Sequence, residues 1–322
     1  MRLEAYFSYK NSTFVGDDLP GVSCYFDYLT KASGGMFMSD SERNRAQGWR
    51  HAKLDGHANE KEFAEALIAD NDFIAEIQRS ILEKVPTGSP VVKVDGNKQV
   101  SSILGDLTVS KVDISIEWPG GEVANISVKK SESGQVWMVT VPRFLAAMEY
   151  HPGVKIETSV KTGISLFIGG SNLSNYEDFY ESALAHNKAK RPKIAKQEEH
   201  QKRLMASSIA LHYESIWEET LDFFNQNIGL ITKLSFSQGL ASSVKDYADV
   251  VIYNKVLAGQ TVFLIKELVE AAEKNVLTSP IVPGPRNGGS TLVLPTGFLQ
   301  MHHPQGENLL QFHHQYKKVS IL

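Results

Sequence analysis

The stretch SKVDISIEWPGGEVANISVKK, residues 110–130, carries two limbs of alternating character. Val112, Ile114 and Ile116 alternate with Asp113, Ser115 and Glu117 on the first limb; Ile126 and Val128 alternate with Asn125, Ser127 and Lys129 on the second. A period of two marks a strand with one buried face, and Pro119-Gly120-Gly121 between the limbs supplies a turn. Two strands, 110–118 and 123–130, are therefore expected to form an antiparallel hairpin. A turn centred on Gly121 would set Asp113 opposite Lys129, Ser115 opposite Ser127 and Glu117 opposite Asn125 on one face. Val112, Ile114, Ile116, Ile126 and Val128 are left for a core. An acid and a lysine joined at one end of a polar strip can hold a divalent cation and activate a water beside it. The bland alternative for the same pair is an exposed ion pair worth about 0.2–1 kcal/mol. Glu117 shares the face, but four residues of strand place it about 13 Å from Asp113, too far for one ion.

Working outward, Phe63, Leu67, Ile68, Ile74, Ile77, Ile81 and Leu82 recur at helical spacing, which predicts a helix from Asn59, as N-cap, to about Lys84. Pro86 and Gly88 end it. Strand signals follow at 91–94 and 100–107, with a turn at Asp95-Gly96-Asn97. After the hairpin come a polar loop (131–135) leading into a strand or a helix start, a short helix (142–150) and an apolar strand (164–168) closed by Gly169-Gly170. The order is helix, three strands, helix, strand. Further on, residues 204–234 and 261–275 carry long helical patterns, Pro283 to Gly289 reads as a loop, and 290–294 with 309–319 reads as a closing strand pair. The expected fold class is α/β (α+β): a mixed central sheet flanked by helices, with a large, mostly helical C-terminal elaboration ending in that strand pair. Three regions are expected: an N-terminal elaboration (1–56), a core (57–178) and a helical and strand elaboration (179–322).

Composition narrows the function. The 322 residues carry 33 basic and 37 acidic side chains, a net charge of -4 and a single cysteine, Cys24. One cysteine excludes a disulfide framework and a multi-cysteine zinc module, and suits a reducing compartment. No apolar run approaches 18 residues and no signal-peptide pattern opens the chain, so the expectation is a cytoplasmic protein with no membrane association. Slight acidity argues against indiscriminate nucleic-acid binding, yet a local basic groove is compatible with it because the local field governs attraction.

An early glutamate on the first helix, then Ser110-Lys111-Val112-Asp113-Ile114, then Ile126-Ser127-Val128-Lys129-Lys130 within that order of elements, resembles the PD-(D/E)XK nuclease superfamily, and within it type II restriction endonucleases, over about residues 57–170. The resemblance implies a restriction-endonuclease-like core, Mg2+ as cofactor, double-stranded DNA as substrate and a homodimer matched to a palindromic site. It implies Asp113 as metal ligand, Lys129 as the group that orients the nucleophile, and the Val128 carbonyl as a further ligand. The sequence departs from the pattern at Ser127, where the family usually has Asp or Glu. Glu60 is the candidate replacement: it lies three and seven residues before Phe63 and Leu67 and so at the edge of the inward helix face, whereas Glu65 lies outside. Its alternative role is a carboxylate complementing the helix dipole. Ser127 and Gln135 are expected as accessory groups.

Lys111 and Lys130 flank the motif, and Lys188, Lys190, Arg191, Lys193, Lys196, Lys202 and Arg203 form a basic run, read either as a solvated face or as contacts to DNA phosphates. Arg43, Arg45 and Arg50 carry the same two readings. Arg286, at the tip of a glycine-rich loop without a Gly-Lys-Ser/Thr signature, is a candidate for a base edge. Two histidine pairs, His302-His303 and His313-His314, invite zinc, but neighbours on a strand point to opposite faces, so a polar strand surface near DNA or plain surface is the expectation. The functional expectation is a Mg2+-dependent, site-specific DNA endonuclease. The alternatives are a catalytically inactive DNA-binding protein on the same fold, suggested by Ser127, and a repair or junction nuclease.

Overall fold

A computed structural model describes residues 63–66, 71–82, 86–94, 98–129, 131–169, 177–190, 203–256, 259–285, 289–302 and 308–322. The fold is a mixed α/β arrangement with a mixed central sheet flanked by helices. That sheet has the order β1 (Val91–Val94), β4 (Ile114–Glu117), β5 (Val123–Lys129), β7 (Val250–Val256), β8 (Gly259–Leu264). β5 and β7 run parallel and the other pairs are antiparallel. β2 (Gln99–Ser101) and β3 (Leu107–Val109) form a separate small hairpin, so the strand expected over 100–107 is two strands with a turn between them.

The hairpin at 110–130 forms with a different register. Ile114 pairs with Ile126 and Ser115 with Asn125, not with Ser127. The turn is centred on Gly120: Trp118 N–H donates to Glu122 O at 2.9 Å, and Gly121, at φ +91°, donates to Trp118 O. Moving the centre by one residue shifts each partner by two, so every side chain keeps its face while Asp113 meets Ser127 instead of Lys129. The apolar face is the core it was expected to be: Ile114, Ile116, Ala124, Ile126, Val250 and Ile252 are buried together with Phe63, Phe73 and Ile77 of the N-terminal helical region, in which 63–66 is helical and α1 spans Asn71–Ile81.

The polar face is covered too. Asn125 Nδ2 donates to Lys245 O and Tyr247 O, both at 2.9 Å, and Ser115, Asn125 and Ser127 are buried. The cover comes from a second sheet of order β6 (Ser133–Thr140), β12 (Leu309–Gln315), β11 (Gly297–His302), β10 (Thr291–Leu294), β9 (Val282–Pro283), and from helices α2 (Val141–Glu149), α3 (Thr158–Ile168), α4 (Glu177–Lys190), α5 (Ala206–His212), α6 (Glu214–Gln226), α7 (Ile228–Lys233) and α8 (Ile265–Val276). The closing strand pair is thus corrected: β11 lies between β10 and β12, β12 also pairs with β6, and Tyr316–Val319 forms a helical turn, α9.

Two further expectations change. Residues 164–168 belong to α3, because Thr158 starts a helix whose apolar side packs on α6 and Gly169, in the left-handed region, ends it. A five-residue apolar run fits a buried helix turn as well as a strand. Residues 261–264 are strand, and α8 starts at Ile265. The long helical pattern over 204–234 does form helices, α5 to α7, followed by a π-helical turn over Leu234–Gln238.

The larger core lies between the second sheet and the helices, where Phe144 packs with Trp137, Phe224 and Phe312 at ring distances of 5.9, 6.2 and 5.8 Å. Gly163 of α3 lets α6 approach: a Cβ there would collide with Thr220 Oγ1 and lie 3.2 Å from Ile216 Cγ2. Gly163→Val is expected to destabilise the fold by about 1–3 kcal/mol, since overpacking and a β-branched helix residue act together. Urea unfolding that matches wild type would contradict this close approach.

Candidate active site

Asp113 stands just before β4, and Ser127 and Lys129 stand on β5, all on the face of the central sheet turned to the second sheet. Asp113 Oδ2 accepts two hydrogen bonds, from Val128 N–H at 2.7 Å and from Ser127 Oγ at 3.2 Å. Ser127 Oγ in turn accepts from Lys129 Nζ at 2.7 Å, and Lys129 Nζ is 3.4 Å from Val128 O. A buried hydroxyl therefore joins the acid to the lysine. The hydroxyl has one proton and two lone pairs, so it can serve both neighbours at once. Among the described residues, Asp113 Oδ1 has no hydrogen-bond partner. Asp113 Oδ1 and the Val128 carbonyl are both hard oxygen donors, linked through Val128 N–H and Lys129 Nζ.

β7 brings Tyr253 beside Lys129, in parallel register. Sequence reasoning missed this strand, although Val250-Val251-Ile252-Tyr253 between Asp249 and Asn254 has the continuous apolar character of a strand buried on both faces. Asp249 fixes the start of the pairing: its Oδ2 accepts from Asn125 N–H at 2.8 Å, and its N–H donates to Asn125 O at 2.8 Å. Burial raises the Asp249 pKa, opposed by the Asn125 N–H. A raised folded pKa means the folded state holds its proton to higher pH than the unfolded chain, so the charge penalty is absent below the ordinary value of 3.8 and complete above the folded value. Asp249→Asn keeps the acceptor and removes the charge. Its stability relative to wild type is expected to rise with pH from about the unperturbed carboxylate value of 3.9 upward; denaturant titrations showing a difference independent of pH would exclude this.

Lys111 is not placed as an exposed phosphate contact. Its ammonium donates to the carbonyl of Val136. Val136 is skipped in the pairing of β6 with β12, where Phe312 faces Trp137 and His313 faces Gln135. The extra residue of such a bulge leaves its backbone unpaired, and Lys111 satisfies it. Burial pulls the Lys111 pKa down to about 7, the Lys129 charge acts the same way, and Asp113 opposes. Gln135 Oε1 accepts from Gln311 Nε2 at 3.0 Å, and Gln311 Oε1 from Gln300 Nε2 at 2.8 Å, so Gln135 belongs to a ladder of amides across β6, β12 and β11.

His313 and His314 part company as their positions on a strand predict. His313 stacks on Phe298 at 4.5 Å and lies 3.2 Å from Gln300 Nε2, whereas His314 is buried, with Nδ1 2.9 Å from the Tyr253 hydroxyl. No group of three or more His, Cys, Asp or Glu side chains that could hold a metal occurs among the described residues.

Several expected site residues lie outside the described residues: Glu60, Lys130, Arg191, Lys193, Arg286, and likewise Cys24, Arg43, Arg45, Arg50, Lys196, Lys202 and His303. Lys188 and Lys190 lie within α4. Arg203, the last member of the basic run, is buried, donating to Ser290 O at 3.1 Å with its guanidinium 5.5 Å from the Phe167 ring centre. A cavity of about 360 Å³ between β8, α8 and the C-terminal residues, lined by Phe263, Leu268, Lys274 and Val319, contains none of these groups. No helix among the described residues is long and apolar enough to cross a membrane.

No protein-family model matches the chain, and no curated protein matches it. Among solved structures it is similar to the restriction endonuclease MspI in complex with its cognate DNA, at 11% sequence identity and a TM-score of 0.46, over 92% of this chain and 99% of that one.

Proposed function

We propose that this protein is a Mg2+-dependent endonuclease that cuts double-stranded DNA at specific sites, as type II restriction enzymes do, acting as a homodimer. One observation carries the reading: Asp113, Ser127 and Lys129 form a continuous hydrogen-bonded set, tied to the Val128 main chain, on the face of the central sheet turned to the second sheet. Mg2+ keeps several waters and is commonly held by one or two carboxylates completed by substrate phosphates. The Asp113 carboxylate with the Val128 carbonyl fits that demand, and Glu60 is the proposed second carboxylate. The ion, when bound, offsets charge on the phosphate and acidifies a bound water.

The chain's own residues do the rest. Asp113 is held rigid by the Val128 N–H and the Ser127 hydroxyl, so its free oxygen is presented in one direction. Ser127 keeps the Lys129 ammonium next to the carboxylate. From there Lys129 can donate to the attacking water or to the charge that develops on the phosphate. Lys130, Lys188, Lys190, Arg191 and Lys193 are proposed to contact the DNA backbone, and Arg286 a base edge.

A second reading rests on Ser127. With a serine where a negative ligand is expected, the same fold can bind DNA without cutting it. Incubation of the wild-type chain with long, mixed-sequence duplex DNA, with Mg2+ and with EDTA, separates the two. Discrete fragments that require Mg2+ are expected; binding without any cleavage would establish the second reading instead.

A further inference from the structure

His314 and Tyr253 are buried polar groups that the scheme above leaves unused. His314 lies opposite Gly134 in the pairing of β12 with β6, just past the bulge at Phe312/His313. A Cβ at Gly134 would lie 3.4 Å from His314 Nε2, so the absence of a side chain there leaves room for the ring edge. β6 starts at Ser133, directly after the β5 end that carries Lys129. Bulges of this kind re-aim side chains next to sites, and here Lys111 completes the bulge through Val136 O.

The Tyr253 hydroxyl meets His314 Nδ1 at 2.9 Å, and its ring lies 5.1 Å from that of Tyr316, whose own hydroxyl pairs with Thr261 at 3.0 Å. Burial raises the Tyr253 pKa, so the phenol keeps its proton and can offer it to Nδ1, while the opposite pairing, Nδ1–H to the phenol oxygen, would satisfy the same contact. A neutral imidazole accepting at Nδ1 carries its hydrogen on Nε2, the edge facing Gly134. Burial, and then the charge of Lys129, hold the His314 pKa down to about 3, which keeps the ring neutral; Lys129 is the register partner of Tyr253, whose hydroxyl meets the ring.

We propose that His314 is a substrate-contacting residue of the site: its Nε2–H donates to a non-bridging oxygen of the phosphodiester held beside Lys129, and Tyr253 is the positioning residue that sets the ring's tautomer. The inference rests on the nuclease reading above. A phosphate oxygen is an anionic acceptor, and His314 would supply a donor to it from the second sheet, whereas Asp113 and Lys129 stand on the central one. The neutral ring does so without adding a charge beside Lys129.

The test compares His314→Ala, His314→Gln and His314→Asn with wild type in single-turnover cleavage of mixed-sequence duplex DNA with Mg2+, alongside thermal unfolding. Gln places an amide N–H where Nε2–H stands; Asn reproduces only the Nδ1 position. The expected result is cleavage slowed about 10- to 100-fold in the Ala and Asn variants, the range for a hydrogen bond to a charged group, with recovery in the Gln variant. Tyr253→Phe is expected to slow cleavage in the same way, and 15N spectra of the His314 ring should show Nδ1 as acceptor and Nε2 protonated in wild type, with that preference lost in Tyr253→Phe. Equal rates in all three His314 variants and wild type would overturn the inference while leaving the nuclease reading intact, and so would equally slow variants whose unfolding temperatures fall together. A wild-type chain that cleaves no duplex overturns both, whereas a ring protonated on Nδ1 removes the proposed donor whatever the activity.

Discussion

Replacing Asp113 by Asn is expected to lower Mg2+-dependent cleavage of duplex DNA at least about a thousandfold, a loss of roughly 4 kcal/mol of transition-state stabilisation. The substitution is nearly isosteric. The amide oxygen can still accept from Val128 N–H, the 2.7 Å bond that ties the residue to β5, so the hairpin register and the surrounding core should survive. What disappears is the negative charge of the carboxylate that is tied to the Val128 N–H and, through Ser127, to Lys129. Binding of the duplex in EDTA, followed by fluorescence anisotropy, should change far less than the rate, because contacts to the DNA backbone are made elsewhere. Retention of wild-type cleavage by Asp113→Asn would remove Asp113 from the chemistry.

Lys129→Met is expected to reduce the cleavage rate about 10²- to 10³-fold, the usual cost of removing one preorganised donor from a site where charge develops. Methionine keeps the length and the apolar stem and deletes only the ammonium. The Ser127 hydroxyl loses the donor that reaches it at 2.7 Å but keeps Asp113 as acceptor, so the local packing has no reason to collapse. Lys129→Arg should not restore full activity, since a planar guanidinium cannot occupy the position of a compact ammonium. Single-turnover rates at saturating DNA distinguish this loss from weaker binding; a variant whose rate recovers as DNA concentration rises would mean that Lys129 only binds substrate.

Much of the hairpin was legible because its signals are local. Alternation in residues 112–116 and 125–129 assigned each side chain to a face, and that assignment survived a change of register, since a shift of two partners preserves parity. The change itself was not legible. Whether Pro119-Gly120-Gly121 turns about Gly120 or Gly121 depends on hydrogen bonds between Trp118, Gly121 and Glu122, and no composition signal ranks the two. Residues 164–168 show the opposite limit, for a short apolar run suits strand or helix alike, and it is the packing of Gly163 on Thr220 and Ile216 that goes with the helix.

The sequence by itself determined which residues of the site share a face: Asp113, Ser127 and Lys129 must lie together on any hairpin with that alternation, because side chains on a strand repeat every two residues. The tertiary structure alone decided what surrounds them. β7 joins β5 from more than a hundred residues away, β12 pairs with β6, and a bulge at Val136 takes up Lys111 and sets His314 over Gly134. Those pairings depend on which buried faces meet and which backbone groups are left to satisfy, and both are settled only when the whole core closes.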